Sequence, residues 1–245
     1  MTQARVFAHR GSSGEWPENT MLAFSKALEE GADGIENDVH LSKDGEVMII
    51  HDESLARTAG VDSMVWELTR SELEEISAGK TKDDRFGFTP IPSLDEYLSF
   101  MEGHRDKVTN IELKTAPVYY PGLEEKVLEL VRRHGLEDNV IYSSFNWLSV
   151  LKMKRLDPEC RIGLLFSGMR LYHQGVVMRE LDVDCYHPDF RDMDAALVSE
   201  LHKEGRIVNM WTVNEVDDIR NAIAWGVDGI ITNYPERVLK EQGRA

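Results

Sequence analysis

Cysteine is scarce in this sequence, with only Cys160 and Cys185 among 245 residues. Two thiols without a paired spacing give neither a zinc signature nor a disulfide framework, and they suit a reducing compartment. No apolar run approaches the roughly 18 residues that a membrane span needs. The N-terminus leads directly into a predicted strand and lacks the apolar core of a signal peptide. We therefore expect a cytoplasmic protein without a membrane span.

Positive charge is also in short supply. Lys and Arg number 28 against 44 Asp and Glu, which gives a net charge of −16. Nucleic-acid-binding proteins present a basic face, so this balance argues against a nucleic-acid partner. An anionic small substrate stays compatible if a metal ion or local Lys and Arg side chains reverse the field in its site. The sequence leaves open whether the chain forms a homo-oligomer.

Strand-like and helix-like segments alternate along the chain. The predicted strands are residues 6–9, 34–41, 108–114, 140–144, 161–166, 184–187, 207–213 and 229–232, with 47–51 as a hairpin partner of the second. Helical periodicity covers residues 21–30, 94–102, 123–134, 147–156, 193–203 and 216–225, and more weakly 169–180.

Eight such strand–helix units match a TIM (β/α)8 barrel formed by a single domain, residues 1–245. One insertion, at about residues 52–92, follows the second strand, so we expect a small lid subdomain at the carboxyl ends of the strands. The competing architecture is a doubly wound sheet. Its glycine-rich phosphate loops are absent from the sequence.

Two carboxylates, Glu36 and Asp38, interrupt an apolar, β-prone stretch. Side chains two apart on a strand share a face, and burying two charges is costly without compensation. Glu112 and Lys114 end the third strand in the same way. Three carboxylates without a Cys or His cluster indicate a hard cation, Mg²⁺ or Ca²⁺, rather than zinc. The alternative is a set of ion pairs inside the barrel, with Glu112 paired to Lys114.

Histidines mark two further strand ends. His9 and Arg10 follow the first strand and His51 ends the hairpin strand, which is where barrel enzymes place their chemistry. Two imidazoles beside a cation fit general acid–base catalysis, although either could be structural. Together with Arg10 and Lys114 to neutralise an anionic oxygen, they suit displacement at a phosphate diester.

Four other side chains near the predicted site have alternative structural roles. His187 and Trp211, near the ends of strands six and seven, could line a substrate site or be packed in the core. His40 lies beyond the two carboxylates and is better explained by a structural role. Asn19 is most simply a helix N-cap.

The motifs together closely resemble the glycerophosphodiester phosphodiesterase family over nearly the whole chain. They include His9-Arg10-Gly11, Pro17-Glu18-Asn19-Thr20, Gly34-Ile35-Glu36-Asn37-Asp38, His51-Asp52, Ile111-Glu112-Leu113-Lys114 and Trp211-Thr212-Val213-Asn214. Two departures are Asn37, in place of the usual apolar residue, and Asn233, where the family often has Asp. We expect Asn37 to face away from the site and Asn233 to lie far from the strand-two chemistry.

The resemblance implies the reaction and the roles of the residues. A glycerophosphodiester would be hydrolysed to an alcohol and sn-glycerol 3-phosphate, the free glycerol hydroxyl attacking first and water opening a cyclic phosphate. The implied acid–base pair is His9 and His51, and the implied phosphate contacts are Arg10 and Lys114. The implied metal ligands are Glu36, Asp38 and Glu112.

Three other functions stay open. The barrel could be a sphingomyelinase D-like phosphodiesterase, a lysophospholipase D, or a module that binds a phosphorylated ligand without catalysis. An acyl chain would need long apolar lid residues facing the site, and Trp66, Phe86 and Phe88 are the candidates.

Overall fold

The computed structural model describes residues 3–168 and 173–244. Its strands are β1 (Arg5–His9), β2 (Gly34–Leu41), β3 (Val47–Ile49), β4 (Val108–Leu113), β5 (Val140–Ser144), β6 (Arg161–Phe166), β7 (Cys185–Pro188), β8 (Ile207–Met210) and β9 (Gly229–Thr232). Its α-helices are α1 (Met21–Glu29), α2 (Ala56–Ala59), α3 (Arg70–Glu74), α4 (Leu94–Met101), α5 (Leu123–His134), α6 (Trp147–Leu156), α7 (Gln174–Glu180), α8 (Ala195–Lys203), α9 (Val216–Trp225) and α10 (Pro235–Glu241).

Eight of these strands form a closed parallel ring. The pairing runs from β1 through β2 and then β4 to β9, and β9 pairs back onto β1. Helices connect successive strands of the ring, which confirms the predicted TIM barrel. An open doubly wound sheet is excluded because the pairing closes on itself, so that each of the eight strands has a parallel partner on both sides. The remaining strand, β3, lies outside the ring and pairs antiparallel with β2.

Most predicted bounds agree with the structure, and the exceptions have local causes. Strand β3 ends at Ile49, so His51 belongs to the following loop, and β8 ends at Met210. Helix α8 begins at Ala195, because the Asp194 side chain caps it by accepting a hydrogen bond from the Leu197 amide (2.8 Å). Of the segment predicted at 169–180, α7 is helical and residues 169–172 lie outside the described chain.

Apolar packing closes the amino-terminal half of the barrel. Alternate residues point inward from each strand, and one inward layer is an apolar cluster of Phe7, Val108, Ile141, Cys185 and Ile231. A larger apolar layer fills the space between strands and helices. Inward-facing polar side chains therefore gather toward the carboxyl ends of the strands.

The insertion between β3 and α4 packs around its own apolar cluster. Its members are Met48, Ile50, Leu55, Ala59, Val65, Leu73, Ala78 and Ile91. The insertion returns to its starting point, since the Ile49 amide donates to the Pro92 carbonyl at 2.9 Å. None of the helices in the described residues has the length and apolar character needed to cross a bilayer.

Candidate active site

Strand register brings three carboxylates together at the carboxyl ends of β2 and β4. Asp38 lies opposite Glu112, while Glu36 lies opposite His9 on β1. All three carboxylate side chains are buried. One oxygen from each lies within 4.8 Å of the others, the spacing expected of ligands to a single ion.

The ion pairs weighed as an alternative are also present, but they do not balance the charge. Asp38 lies 3.3 Å from Arg10 Nε and 3.7 Å from Lys114 Nζ, and Glu112 lies 2.8 Å from Lys114 Nζ. Arg10 is shared with a further carboxylate, Glu18, at 3.0 Å. Two cations thus face the three carboxylates of β2 and β4. An uncompensated buried charge costs several kcal/mol, so a further cation would stabilise the cluster.

The pKa values of the three carboxyl groups reflect the same imbalance between carboxylates and cations. Burial raises the pKa of Glu36 well above its ordinary value, and the neighbouring Asp38 and Glu112 raise it further. Burial also raises the pKa of Glu112, with Lys114 opposing. Burial acts in the same direction on Asp38, but Arg10 and Lys114 hold its pKa below the usual range.

The donor set fits a hard divalent cation. Asp38 Oδ1 is buried and has no hydrogen-bond partner within the described residues. An oxygen without a partner, three converging carboxylates and a surplus of negative charge are the properties of a Mg²⁺ or Ca²⁺ site. Glu36, Asp38 and Glu112 could therefore hold such an ion.

His9 presents one ring nitrogen to this cluster. Its Nδ1 donates to Asn233 Oδ1 at 2.6 Å, which leaves Nε2 unprotonated in the neutral ring and 3.9 Å from Glu36 Oε2. Burial, reinforced by Arg10, lowers the pKa of His9 to about 3. The expectation that Asn233 is remote from the chemistry was wrong, because this side chain fixes the orientation of the His9 ring.

His51 approaches from the other side of the cluster. Its Nδ1 lies 2.5 Å from Asp52 Oδ1 and its Nε2 lies 3.1 Å from Lys114 Nζ. The loop that carries it is held by His40, whose Nε2 donates to the His51 carbonyl at 3.1 Å. The opposite nitrogen of His40 accepts from the Tyr120 hydroxyl at 3.0 Å. His40 therefore has the structural role that the sequence indicated.

The turn after β1 brings two more side chains into the site. Arg10 has a left-handed backbone (φ 57°), and its amide donates to Glu36 Oε2 at 3.0 Å. Asn19 is also left-handed (φ 55°), and its Nδ2 donates to Asp38 Oδ2 at 2.8 Å. The N-cap of α1 is Thr20 instead, which accepts from the Ala23 amide. The capping role expected for Asn19 was wrong, since the neighbouring threonine satisfies the same sequence pattern.

Arg57 links the insertion to both sides of the site. Its Nε donates to Asp52 Oδ2 (2.5 Å), and its two terminal nitrogens donate to the Glu18 carboxylate (2.7 Å each). Glu18 in turn holds Arg10, while Asp52 holds His51. This arginine was not identified from the sequence, because nothing in its local pattern indicates a contact with the α1 side of the barrel.

A cavity of about 410 Å³, here called the inner cavity, opens beside the cluster. Its lining comprises His9, Arg10, Glu36, His51, Asn110, Glu112, Phe145, Leu165, Trp211, Thr212 and Ile231. Asn110 was not identified from the sequence, although it precedes Glu112 by two residues and so shares its face. Its Oδ1 is buried without a hydrogen-bond partner in the described chain, so it is available to a ligand.

Trp211 and His187, the two ambiguous candidates, are placed differently. Trp211 lines the inner cavity, and its Nε1 donates to the His187 carbonyl at 2.7 Å. The His187 ring is fully buried beside Gly163, bonds to Asn209 at 3.0 Å and does not line the cavity. We therefore assign His187 to the core of the barrel.

A second cavity of about 560 Å³, here called the outer cavity, adjoins the first. It is lined by His51, Glu53, Glu112, Leu113, Lys114, Ala116, Pro117, Ser144 and Phe145, so three of its residues also line the inner cavity. The lid residues considered for an acyl chain line neither. Trp66 packs on the core near Tyr120, Phe86 contacts Trp16, and Phe88 is exposed.

Comparison with known proteins agrees with this geometry. The model of the glycerophosphoryl diester phosphodiesterase family matches residues 9–237. Glycerophosphodiester phosphodiesterases from Bacillus altitudinis and Caldanaerobacter subterraneus are 38% and 39% identical, each alignment covering 96% of this chain and 97% and 96% of the relative. An Oleispira antarctica phosphodiesterase, solved in complex with the product sn-glycerol-3-phosphate, superposes with a TM-score of 0.89 at 30% identity over 98% of this chain and 97% of its own. The chain belongs to the glycerophosphoryl diester phosphodiesterase family.

Proposed function

We propose that the chain hydrolyses glycerophosphodiesters, such as glycerophosphocholine and glycerophosphoethanolamine, to an alcohol and sn-glycerol 3-phosphate. The observation that carries this is the convergence of three buried carboxylates with one nitrogen from each of two histidines. Glu36, Asp38 and Glu112 would hold a divalent ion, Mg²⁺ or Ca²⁺. When bound, the ion would neutralise charge on the phosphate.

The protein's own groups divide the remaining work. Arg10 and Lys114 flank the carboxylates and would contact the non-bridging phosphate oxygens. His9 Nε2 and His51 Nε2 approach the cluster separately, and their other nitrogens are held by Asn233 and Asp52. One imidazole would take the proton from the attacking hydroxyl while the other protonates the departing alcohol. The family resemblance supports attack by the glycerol hydroxyl before water.

The two cavities would take the two halves of such a substrate. The phosphate would lie beside Glu112 and His51, which line both cavities. The inner cavity would take the glycerol, because the Asn110 amide can bond to a hydroxyl and Trp211 provides an apolar wall. The alcohol would then extend into the outer cavity.

Metal removal tests this function. Purified protein with Mg²⁺ or Ca²⁺ is expected to convert glycerophosphocholine to choline and glycerol 3-phosphate, with both products identified. Excess EDTA should abolish turnover, and either ion should restore it, because the surplus buried carboxylate charge would otherwise repel the phosphate. Full turnover in EDTA would contradict the metal assignment. Absence of glycerol 3-phosphate among the products would contradict the proposed reaction.

A further inference from the structure

Glu53 is a charged residue of the outer cavity that the proposed reaction does not use. It follows His51 by two residues, is partly buried and lines the cavity beside Lys114. Its backbone carbonyl accepts from the Val65 amide, which fixes the position of the loop. Its carboxylate makes no ion pair or hydrogen bond with any residue in 3–168 or 173–244.

This freedom separates Glu53 from the carboxylates around it. Glu18 and Asp52 are both held by Arg57, and Asp38 and Glu112 are both held by Lys114. Each of those four carboxylates is therefore paired with a cation of the protein. Glu53 instead lines the outer cavity, where its carboxylate can contact a ligand.

The rest of the outer cavity favours a cation with alkyl substituents. Ala116, Pro117 and Phe145 provide apolar walls, and Phe145 is 41% exposed. An aromatic face attracts an alkylammonium group, and apolar walls suit its methyl or methylene carbons. Lys114 lies 3.7 Å from Asp38 and 2.8 Å from Glu112, so two carboxylates offset the repulsion that its charge would exert on such a cation.

We propose that Glu53 is a specificity residue that selects glycerophosphodiesters whose alcohol carries a positive charge. Choline and ethanolamine esters would place their ammonium group in the outer cavity near this carboxylate. Uncharged alcohols such as glycerol or inositol would form no ion pair with it. The inference rests on the proposed function, since it assumes that the leaving alcohol occupies this cavity.

A substrate panel tests the selection. The values of kcat/KM are measured for glycerophosphocholine, glycerophosphoethanolamine, glycerophosphoglycerol and glycerophosphoinositol on the metal-loaded enzyme. Glu53→Gln is expected to lower the values for the two cationic esters roughly 3- to 30-fold, the range for one partly solvated charge contact. The two uncharged esters should stay within about twofold. Glu53→Lys should reduce the ratio of cationic to uncharged esters further.

Glu75→Gln is the matched control. It removes the same charge from an exposed position of the same insertion, outside both cavities, and should leave all four values unchanged. A melting curve for each variant verifies folding. An equal fall for all four esters, or an unchanged ratio in Glu53→Gln and Glu53→Lys, would overturn the inference while leaving the proposed function intact. A wild-type enzyme that cleaves none of the four would refute both.

Discussion

At the scale of single residues, the two site histidines share one hydrogen-bonding arrangement. Each has Nδ1 bonded to a neighbour, Asn233 for His9 and Asp52 for His51. The Nε2 of His9 then lies 3.9 Å from Glu36, and the Nε2 of His51 lies 3.1 Å from Lys114. The partners differ, because one is a neutral amide and the other a carboxylate that Arg57 also binds. Holding the second nitrogen fixes both the tautomer and the ring orientation.

Replacing either histidine should damage the chemical step. His9→Ala and His51→Ala are each expected to lower kcat by about 10²- to 10⁴-fold, the usual contribution of a positioned acid or base. Steady-state kinetics on glycerophosphocholine measures the effect. His202→Ala, on the outer helix α8, is the control and should retain full activity. A histidine whose alanine variant turns over at the wild-type rate has no part in the acid–base pair.

At the scale of elements, the insertion acts on the site through its first turn. Arg57 on α2 binds Asp52, which orients His51, and Glu18, which holds Arg10. Hydrogen bonds to these carboxylates raise the pKa of Arg57, so it is charged at every pH of interest. The insertion therefore helps to set the positions of His51 and Arg10.

Removing this arginine should affect catalysis more than folding. Arg57→Ala would remove the arginine that joins Asp52 to Glu18, leaving Asp52 with His51 alone and Glu18 with Arg10 alone, and we expect kcat/KM to fall by about tenfold or more. The free energy of unfolding should fall by only about 1 kcal/mol, because the Arg57 side chain is 47% exposed. Kinetics and urea denaturation separate the two effects. Arg85→Ala, in the same insertion, is the control, and equal behaviour of the two variants would exclude the coupling.

Residues carried by strands were predicted well because alternation determines which way they face. Glu36, Asp38 and Glu112 share the inward face of β2 and β4, as their spacing required. The same alternation places Asn110 and His187 inward, but sequence does not tell how deep an inward residue lies. His187 is buried without lining the cavity, whereas Asn110 lines it and was not identified.

The roles of residues in loops were the ones that the sequence predicted least well. The direction of a side chain after a strand ends depends on turn conformation, and the left-handed Arg10 and Asn19 have no distinctive local sequence pattern. Asn233 and Arg57 reach the site from distant parts of the chain, at contacts that only the closed barrel creates. The motifs established the family and the reaction, whereas the supporting contacts needed the tertiary structure.

At the scale of the whole molecule, the excess of acidic residues extends into the interior of the barrel. The net charge is −16, and the buried cluster is itself short of one positive charge. A divalent ion that binds the folded chain would relieve this internal repulsion and stabilise the entire fold. The cytoplasmic location and the question of a homo-oligomer stay predictions.

Metal binding should therefore be visible in thermal unfolding. At an ion concentration of about 100 times its Kd, the linkage gain of about 2.7 kcal/mol predicts a Tm increase of roughly 5–10 °C. Scanning calorimetry with and without Mg²⁺ or Ca²⁺ measures it. Asp38→Asn should lose the increase and Glu75→Gln should keep it. The same increase in Asp38→Asn would place the stabilising ion elsewhere.

The two ends of the insertion lie next to each other on the barrel, and this affects how the segment could be inherited. Because the Ile49 amide bonds to the Pro92 carbonyl, the forty or so residues between them leave and rejoin the barrel at one point. The whole segment could thus be exchanged between related barrels without altering the ring of strands. Glu53 and Arg57 would travel with it. One recombination event would then change both the substrate preference and the side chain that positions the active-site residues.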